Sequence, residues 1–276
     1  GAMESFVQYE DVERVVSKGE TRSTVVLDNE FHVDLRIVPP DSYGAALHYF
    51  TGSKDHNVAM RSMAKDQGLK LSEYGIFEDD NQIAGETEEE IYDQFSLPWI
   101  PPELRENKGE LEAAQEGELP ELVTRKDIKG DLHVHTDKTD GRLDLEEIAE
   151  LAQEMGYEYV AITDHSKRVT MAKGLDESDL KEQIKEIDKI NEKLDGFQFL
   201  KGIEVDILKD GSLDLPDEIL EKMDLVVGAL HYNRNLDQEK QTKRVIKAME
   251  NPHFNILAHP SGRFIQEREP LELDLK

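Results

Sequence analysis

The rhythm of apolar and polar positions changes once along this chain, near residue 128. Before that point, residues 12–17, 21–27 and 31–38 alternate apolar and polar side chains, the period of half-buried strands. Lys18-Gly19-Glu20 forms a tight turn between the first two, and Pro39-Pro40 ends the third. Asp41 and Ser42 can cap a helix running to about Phe50. A second helix is expected over 54–67, and a third over 87–95, opened by acidic residues that suit a helix N-terminus. A proline-punctuated stretch, 97–105, follows. The Glu-rich segment 106–121 has no clean apolar period and reads as an interdomain linker, extending to about 127.

From Ile128 onward short apolar runs and amphipathic stretches take turns. Strands are expected at 131–134, 159–163, 199–205, 225–229 and 255–258, with helices over 145–155, 177–194 and 240–250. Repeating strand–helix units imply a parallel sheet with helices outside it, whose chemistry collects at the C-terminal strand ends.

Composition narrows the chemistry. The 276 residues include no cysteine, which excludes disulfides, thiol nucleophiles and thiolate metal sites. The net charge of −28 opposes nucleic-acid binding at long range, so such binding needs local cations or divalent metals. No apolar run approaches the ~20 residues of a spanning helix, and no signal peptide is visible, so no membrane partner is expected.

Histidines then mark the strand ends. The first run ends in His133-Val134-His135, whose side chains share one side of a strand, and Asp140 follows before Gly141. The next runs end in Thr163-Asp164-His165, Gly202-Ile203-Glu204-Val205-Asp206, Leu230-His231 and Ala258-His259-Pro260. Any one of these histidines is more often a satisfied core or surface residue. Five successive strand ends each carrying His or Glu point instead to a multinuclear metal site. Nitrogen and carboxylate donors without thiolate suit Mn, Zn or Fe. Clustered divalent ions favour phosphoester hydrolysis.

The string Gly130-Asp131-Leu132-His133-Val134-His135-Thr136, with Asp140-Gly141, Thr163-Asp164-His165-Ser166, Gly202-Ile203-Glu204-Val205-Asp206 and Ala258-His259-Pro260-Ser261-Gly262-Arg263, resembles the polymerase and histidinol phosphatase (PHP) domain over 128–276. The resemblance implies a distorted β/α barrel of seven strands with a trinuclear site. It implies that His133, His135 and Glu204 hold one metal, Glu204, His231 and His259 a second, and Asp140 and His165 a third. The ions would be Mn²⁺ or Zn²⁺, up to three. That family completes its site with a later Asp-x-His motif that is not found before Lys276, so about five of the seven strands are expected. Lys138 and Arg263 are candidate phosphate contacts; as solvated surface charges they would need no function.

A second resemblance covers residues 4–105. Ser17-Lys18-Gly19-Glu20-Thr21, Val33-Asp34-Leu35-Arg36-Ile37-Val38-Pro39, Tyr49-Phe50-Thr51-Gly52-Ser53, His56-Asn57, Arg61 and Glu73-Tyr74-Gly75 are similar to family X DNA polymerases. It implies the end of the palm at 4–48 and the thumb at 49–105. Asp34 matches the third catalytic carboxylate, which works with Mg²⁺ or Mn²⁺. Tyr49, Phe50 and Gly52 match the segment lining the nucleotide sugar, Asn57 a base contact and Arg61 a template contact. Unaided, Asp34 is a solvated strand residue and Gly52 the capping glycine of a helix end.

The fold class is thus α/β: a small mixed α+β palm and thumb region, then an incomplete PHP barrel. The reading is a fragment of a DNA-repair polymerase whose PHP domain trims 3′ ends. Its partners would be gapped or 3′-end DNA and deoxynucleotides, in the cytoplasm and on the nucleoid of a prokaryote. The fragment itself is expected not to polymerise. A free-standing phosphatase acting on small phosphate monoesters, or an inactive module that binds DNA or protein, are the alternatives.

Overall fold

Alternating valines and polar residues pair the first strands. A computed structural model describes residues 1–275 as two compact units, divided between Leu122 and Val123. In the first unit, helix α1 (Ala2–Val7) precedes β1 (Val12–Lys18), β2 (Arg22–Leu27) and β3 (His32–Arg36), an antiparallel sheet in the order β1-β2-β3. Register sets Thr24 opposite Asp34, and β2 buries Ser23, Val25 and Val26. Helices α2 (Tyr43–Thr51) and α3 (Lys54–Asp66) follow. Then comes a meander of β4 (Lys70–Ser72), β5 (Gly75–Glu78) and β6 (Asn81–Ala84), and helix α4 (Glu88–Asp93). Met60, Ala64, Ile76, Ile91, Tyr92 and Ile100 form the core these elements share.

The stretch expected as a linker differs. Residues Glu110–Glu116 form helix α5, and Leu111 and Ala114, three apart on one face, enter the core of the first unit. The abundance of Glu hides this short apolar face, and the Glu110 carboxylate is itself buried. It accepts the backbone N–H groups of Asn107 and Lys108, each at 2.7 Å, and the His56 Nδ1–H at 2.6 Å. Burial would raise the Glu110 carboxyl, but these hydrogen bonds outweigh it and hold it below the ordinary carboxylate range. A capped 3₁₀ turn, Arg125–Asp127, begins the second unit, so little of 106–127 is linker.

A second buried ionic group of the first unit centres on Arg105. It has no exposed surface and pairs with Glu88 at 2.5 Å. It also donates to the Ile100 carbonyl and the Thr51 hydroxyl, and it lies over the Tyr92 and Trp99 rings. His48 is buried beside this group; burial, aided by the Arg105 charge, pushes its pKa down to about 3.

The second unit carries the expected parallel strands. β7 (Gly130–Val134), β8 (Tyr159–Ile162), β9 (Gln198–Asp206), β10 (Leu225–Ala229) and β11 (Ile256–Leu257) lie side by side in chain order, every neighbour parallel. Helices α6 (Leu145–Glu154) and α7 (Glu177–Asn191) pack Leu145, Ile148, Ala149, Ala152 and Ile187 on Val160, Ile162 and Phe199. The short α8 (Asp217–Leu220) covers Ile203, Val205 and Val226. α9 (Gln238–Met249) joins Val245 and Ala248 to Ile207, Leu230 and Leu271. Capping boxes begin α6 at Asp144 and α7 at Asp176.

Two outcomes are expected for the first unit, both read from the fluorescence of Trp99, the sole tryptophan. Arg105→Ala leaves Glu88 an unpaired buried charge, and its urea unfolding transition should lose about 3–5 kcal/mol; a loss under about 1 kcal/mol would mean the pair contributes little. Because the His48 pKa is depressed on folding, its contribution is complete above the ordinary value of 6.5 and is lost as pH falls towards about 3. The transition should therefore weaken over that window, and His48→Leu should flatten the dependence.

Candidate metal centre

The parallel sheet sets five loop starts in a row. β7 delivers His133 and His135, the turn after β8 His165, β9 Glu204, the turn after β10 His231 and the turn after β11 His259. His165 and Glu204 are themselves bridged as a parallel pair. His259 has φ of 26°, in the left-handed region that a non-glycine residue rarely adopts. Its imidazole reaches Glu204 from that strained backbone.

Glu204 is the focus. It is 1 % exposed, and its Oε1 lies 3.5 Å from His133 Nε2, 3.5 Å from His231 Nε2 and 2.9 Å from His259 Nε2. Its Oε2 lies 2.8 Å from His165 Nδ1 and 3.6 Å from His135 Nε2. Burial would raise this carboxyl, but the facing imidazoles of His133, His165 and His259 and the charge of His231 hold it far below the carboxylate range. Burial likewise lowers His135. At His165 it is outweighed by Glu204 and Asp140, which raise the imidazole.

Asp140 closes the other side, with Oδ1 3.2 Å from His135 Nδ1 and Oδ2 3.2 Å from His165 Nε2. Gly141 permits that approach. A Cβ there would lie 2.2 Å from the His135 carbonyl oxygen, so only glycine lets the loop fold back on the end of β7.

Three donor groups therefore converge: His133, His135 and Glu204; His135, Asp140 and His165; and His165, Glu204 and His231. His135 Nδ1, His165 Nδ1, His231 Nδ1 and Glu204 Oε2 are buried without an aligned hydrogen-bond partner. Buried polar atoms rarely stay unpaired. Imidazole and carboxylate donors converging in this way fit divalent cations.

Other residues named from sequence lie elsewhere. Lys138 pairs with Glu186 at 3.2 Å and lines a cleft that includes none of the five histidines. Arg263 is exposed just after the His259 turn, with its backbone N–H on Ser261. In the first unit Asp34 is exposed on β3. It accepts from Thr24, which lowers its pKa, and lies 3.6 Å from Arg22. Asn57 gives its amide hydrogens to the Tyr49 and Gly52 carbonyls, and its own carbonyl accepts from Arg61 Nε. Gly52 ends α2 with φ −77° and ψ 144°, extended rather than left-handed, so Asn57 and not a glycine turn closes that helix. Phe50 is exposed, edge-on to Tyr49, with the Arg36 guanidinium 5.3 Å above it.

Sequence reasoning assigned no role to the carboxylates behind the histidines. Asp164 is fully buried and accepts Thr136 N–H at 2.9 Å, Thr136 Oγ1–H and Gln183 Nε2–H at 2.6 Å, and the Thr139 hydroxyl. It thereby pins the loop that carries Asp140. Asp206, also fully buried, accepts the His231 backbone N–H at 3.1 Å and lies 3.5 Å from His231 Nδ1. Their signal was present: Asp164 precedes His165, and Asp206 sits two residues past Glu204 on the same strand face.

Comparison with known proteins bears on both units. Residues 46–106 match the family model of the DNA polymerase beta thumb, and residues 131–264 that of the PHP domain. The chain is 41% identical over 99% of its length to a Bacillus subtilis protein named DNA polymerase/3′-5′ exonuclease PolX, and covers 48% of it. It is 33% identical over 137 residues to a probable phosphatase of Thermoanaerobacter, covering 48% of this chain and 54% of that one. The chain thus spans about half the length of these curated relatives.

Asp164→Asn removes the charge that four donors share and sets an amide N–H against them. Urea unfolding followed by far-UV circular dichroism should show a loss of about 1–3 kcal/mol in the second unit. An unchanged transition would mean that the loop before Asp140 is held by other contacts.

Proposed function

We propose that this chain, a homologue of family X DNA polymerases that carries their thumb and PHP segments, holds in its PHP half a divalent-metal phosphoesterase that trims DNA 3′ ends. The observation that carries the reading is Glu204, one buried carboxylate surrounded by imidazoles from the ends of four other strands.

By the family resemblance His133, His135 and Glu204 would hold one ion, Glu204, His231 and His259 a second, and Asp140 and His165 a third, with Mn²⁺ or Zn²⁺ suited to these donors. Of the converging donor groups the first coincides, the third gains His135, and the second takes His165 in place of His259. When bound, such ions acidify water and stabilise negative charge on a departing phosphate oxygen. The chain's own residues prepare the site. Glu204 stays ionised because the surrounding imidazoles outweigh its burial. Asp206 faces His231 Nδ1 and so turns Nε2 towards Glu204. Asp164 fixes the loop that presents Asp140.

In the first unit the proposed roles are narrower. Asp34 would be one carboxylate of a nucleotidyl-transfer site using Mg²⁺ or Mn²⁺. Tyr49, Phe50 and Gly52 would line the nucleotide sugar, with Asn57 and Arg61 towards base and template. The location proposed with this function is the cytoplasm, on the nucleoid of a prokaryote; no helix of the described residues is long and apolar enough to cross a membrane. A phosphatase acting on small monoesters is the second reading, favoured by the likeness to the Thermoanaerobacter protein.

The test loads the chain with Mn²⁺ or Zn²⁺, measures metal per chain, and assays 3′-labelled DNA beside sugar phosphates. The expected result is retained metal and release of 3′ nucleotides, both abolished by Glu204→Gln with the fold intact. Equal turnover of sugar phosphates and DNA gives the monoesterase reading. Retained metal without hydrolysis, together with strand binding, gives an inactive binding module.

A further inference from the structure

Few cations of the second unit are both fixed and free. Lys138 and Lys167 pair with Glu186 and Glu177. Arg234 and Arg268 both donate to the Gly262 carbonyl. Arg244 is buried and spent on the carbonyls of Ile207, Leu208, Tyr232 and Asn233. Arg263 is exposed and unpacked.

Arg168 differs from all of these. Its Nε lies 2.9 Å from Asp206 Oδ2, the carboxylate whose other oxygen faces His231. Its guanidinium stacks over the Tyr232 ring, 5.1 Å from the centroid. Its backbone is tied as well: the N–H donates to Asp214 Oδ2 at 3.2 Å, and the carbonyl accepts the Tyr232 hydroxyl at 3.1 Å. Asp214 also accepts Ser166 Oγ–H and the Asp206 N–H, which binds the loop after β8 to the end of β9. Three neighbouring strand ends thus immobilise one guanidinium at the rim of the histidine cluster. The side chain is nevertheless 37% exposed, and among the described residues its two Nη groups have no hydrogen-bond or ion-pair partner.

A guanidinium ion-paired at Nε without an aligned N–H···O bond, and stacked on a ring, leaves its Nη groups as a fork matched to phosphate oxygens. Immobilisation lowers the entropy lost when an anion is gripped. We propose that Arg168 contacts the substrate, its Nη groups donating to non-bridging oxygens of a phosphate held at the histidine cluster, and that Asp206 is a positioning residue that aims Arg168 and His231 together. The inference rests on the phosphoesterase reading above and adds to it the group that grips the phosphate.

Arg168→Lys tests it, because it keeps a positive charge beside Asp206 and removes the fork. Metal per chain is measured first by elemental analysis. Binding of inorganic phosphate to the metal-loaded chain is then measured by calorimetry, and KM and kcat on a 3′-labelled strand are determined. The expected result is unchanged metal content, phosphate binding at least tenfold weaker, and a KM rise of similar size that exceeds any fall in kcat. Tyr232→Phe, which frees the Arg168 carbonyl but keeps the stacking ring, should give a smaller loss of the same kind. Unchanged phosphate affinity with metal retained would overturn the contact. Loss of metal or of the folded transition in Arg168→Lys would overturn it too, making Arg168 only the counter-ion of Asp206. If the unmutated chain binds metal and phosphate yet hydrolyses nothing, the phosphoesterase reading fails while the Arg168 contact is still decided by the phosphate measurement. If it binds neither, both fail.

Discussion

Everything in the second unit answers to one buried charge. Glu204 sits on the central strand with 1 % of its surface exposed, and an isolated carboxylate there would carry a large desolvation penalty. It is offset by imidazoles that no single segment could supply, since they come from four other strand ends. Parallel pairing in chain order meets that need, because it puts every C-terminal strand end on the same side of the sheet. Sequence order, strand direction and side-chain chemistry are one constraint here. A one-residue slip of β9 would turn Glu204 away from the histidines and Val205 towards them.

The carboxylates behind the histidines extend the same logic outward. Asp164 and Asp206 are as buried as Glu204; Asp164 accepts from Thr136, Thr139 and Gln183, and Asp206 accepts the His231 N–H and faces the Arg168 guanidinium. Their hydrogen bonds convert loops that could move into fixed donors. Low local dielectric strengthens each of these bonds and makes each omission costly, so the arrangement is specific as well as stable. The first unit uses the same device without converging lone pairs. The His56–Glu110 and Arg105–Glu88 pairs fasten α5 and the proline-rich stretch to the helices α3 and α4.

Much of this was legible in the sequence because it depends on period and position. Apolar–polar alternation located β1 to β3, short apolar runs between amphipathic stretches located β7 to β11, and the histidines stood out because they recurred at strand ends. What was hidden depends on partners remote in sequence. The strands β4 to β6 are three or four residues long, too short for a period to register. Helix α5 shows one narrow apolar face among glutamates, and only the distant His56 makes Glu110 a buried residue. Arg168 reads as one more surface charge until the fold sets it against Asp206 and Tyr232.

The charge of the chain then acquires a physical consequence. At −28 the protein repels a polyanion at a distance, so its field does not steer DNA in. On the proposed function, attraction would be local, from ions among the histidines and from the cation fixed beside them. Lys138 and Lys167 each face a glutamate. A diffuse basic surface would add affinity along the whole strand, whereas a single oriented guanidinium adds it only where a phosphate reaches the cluster. On that proposal, an acidic exterior with one fixed fork would favour contact at a strand end over binding along its length.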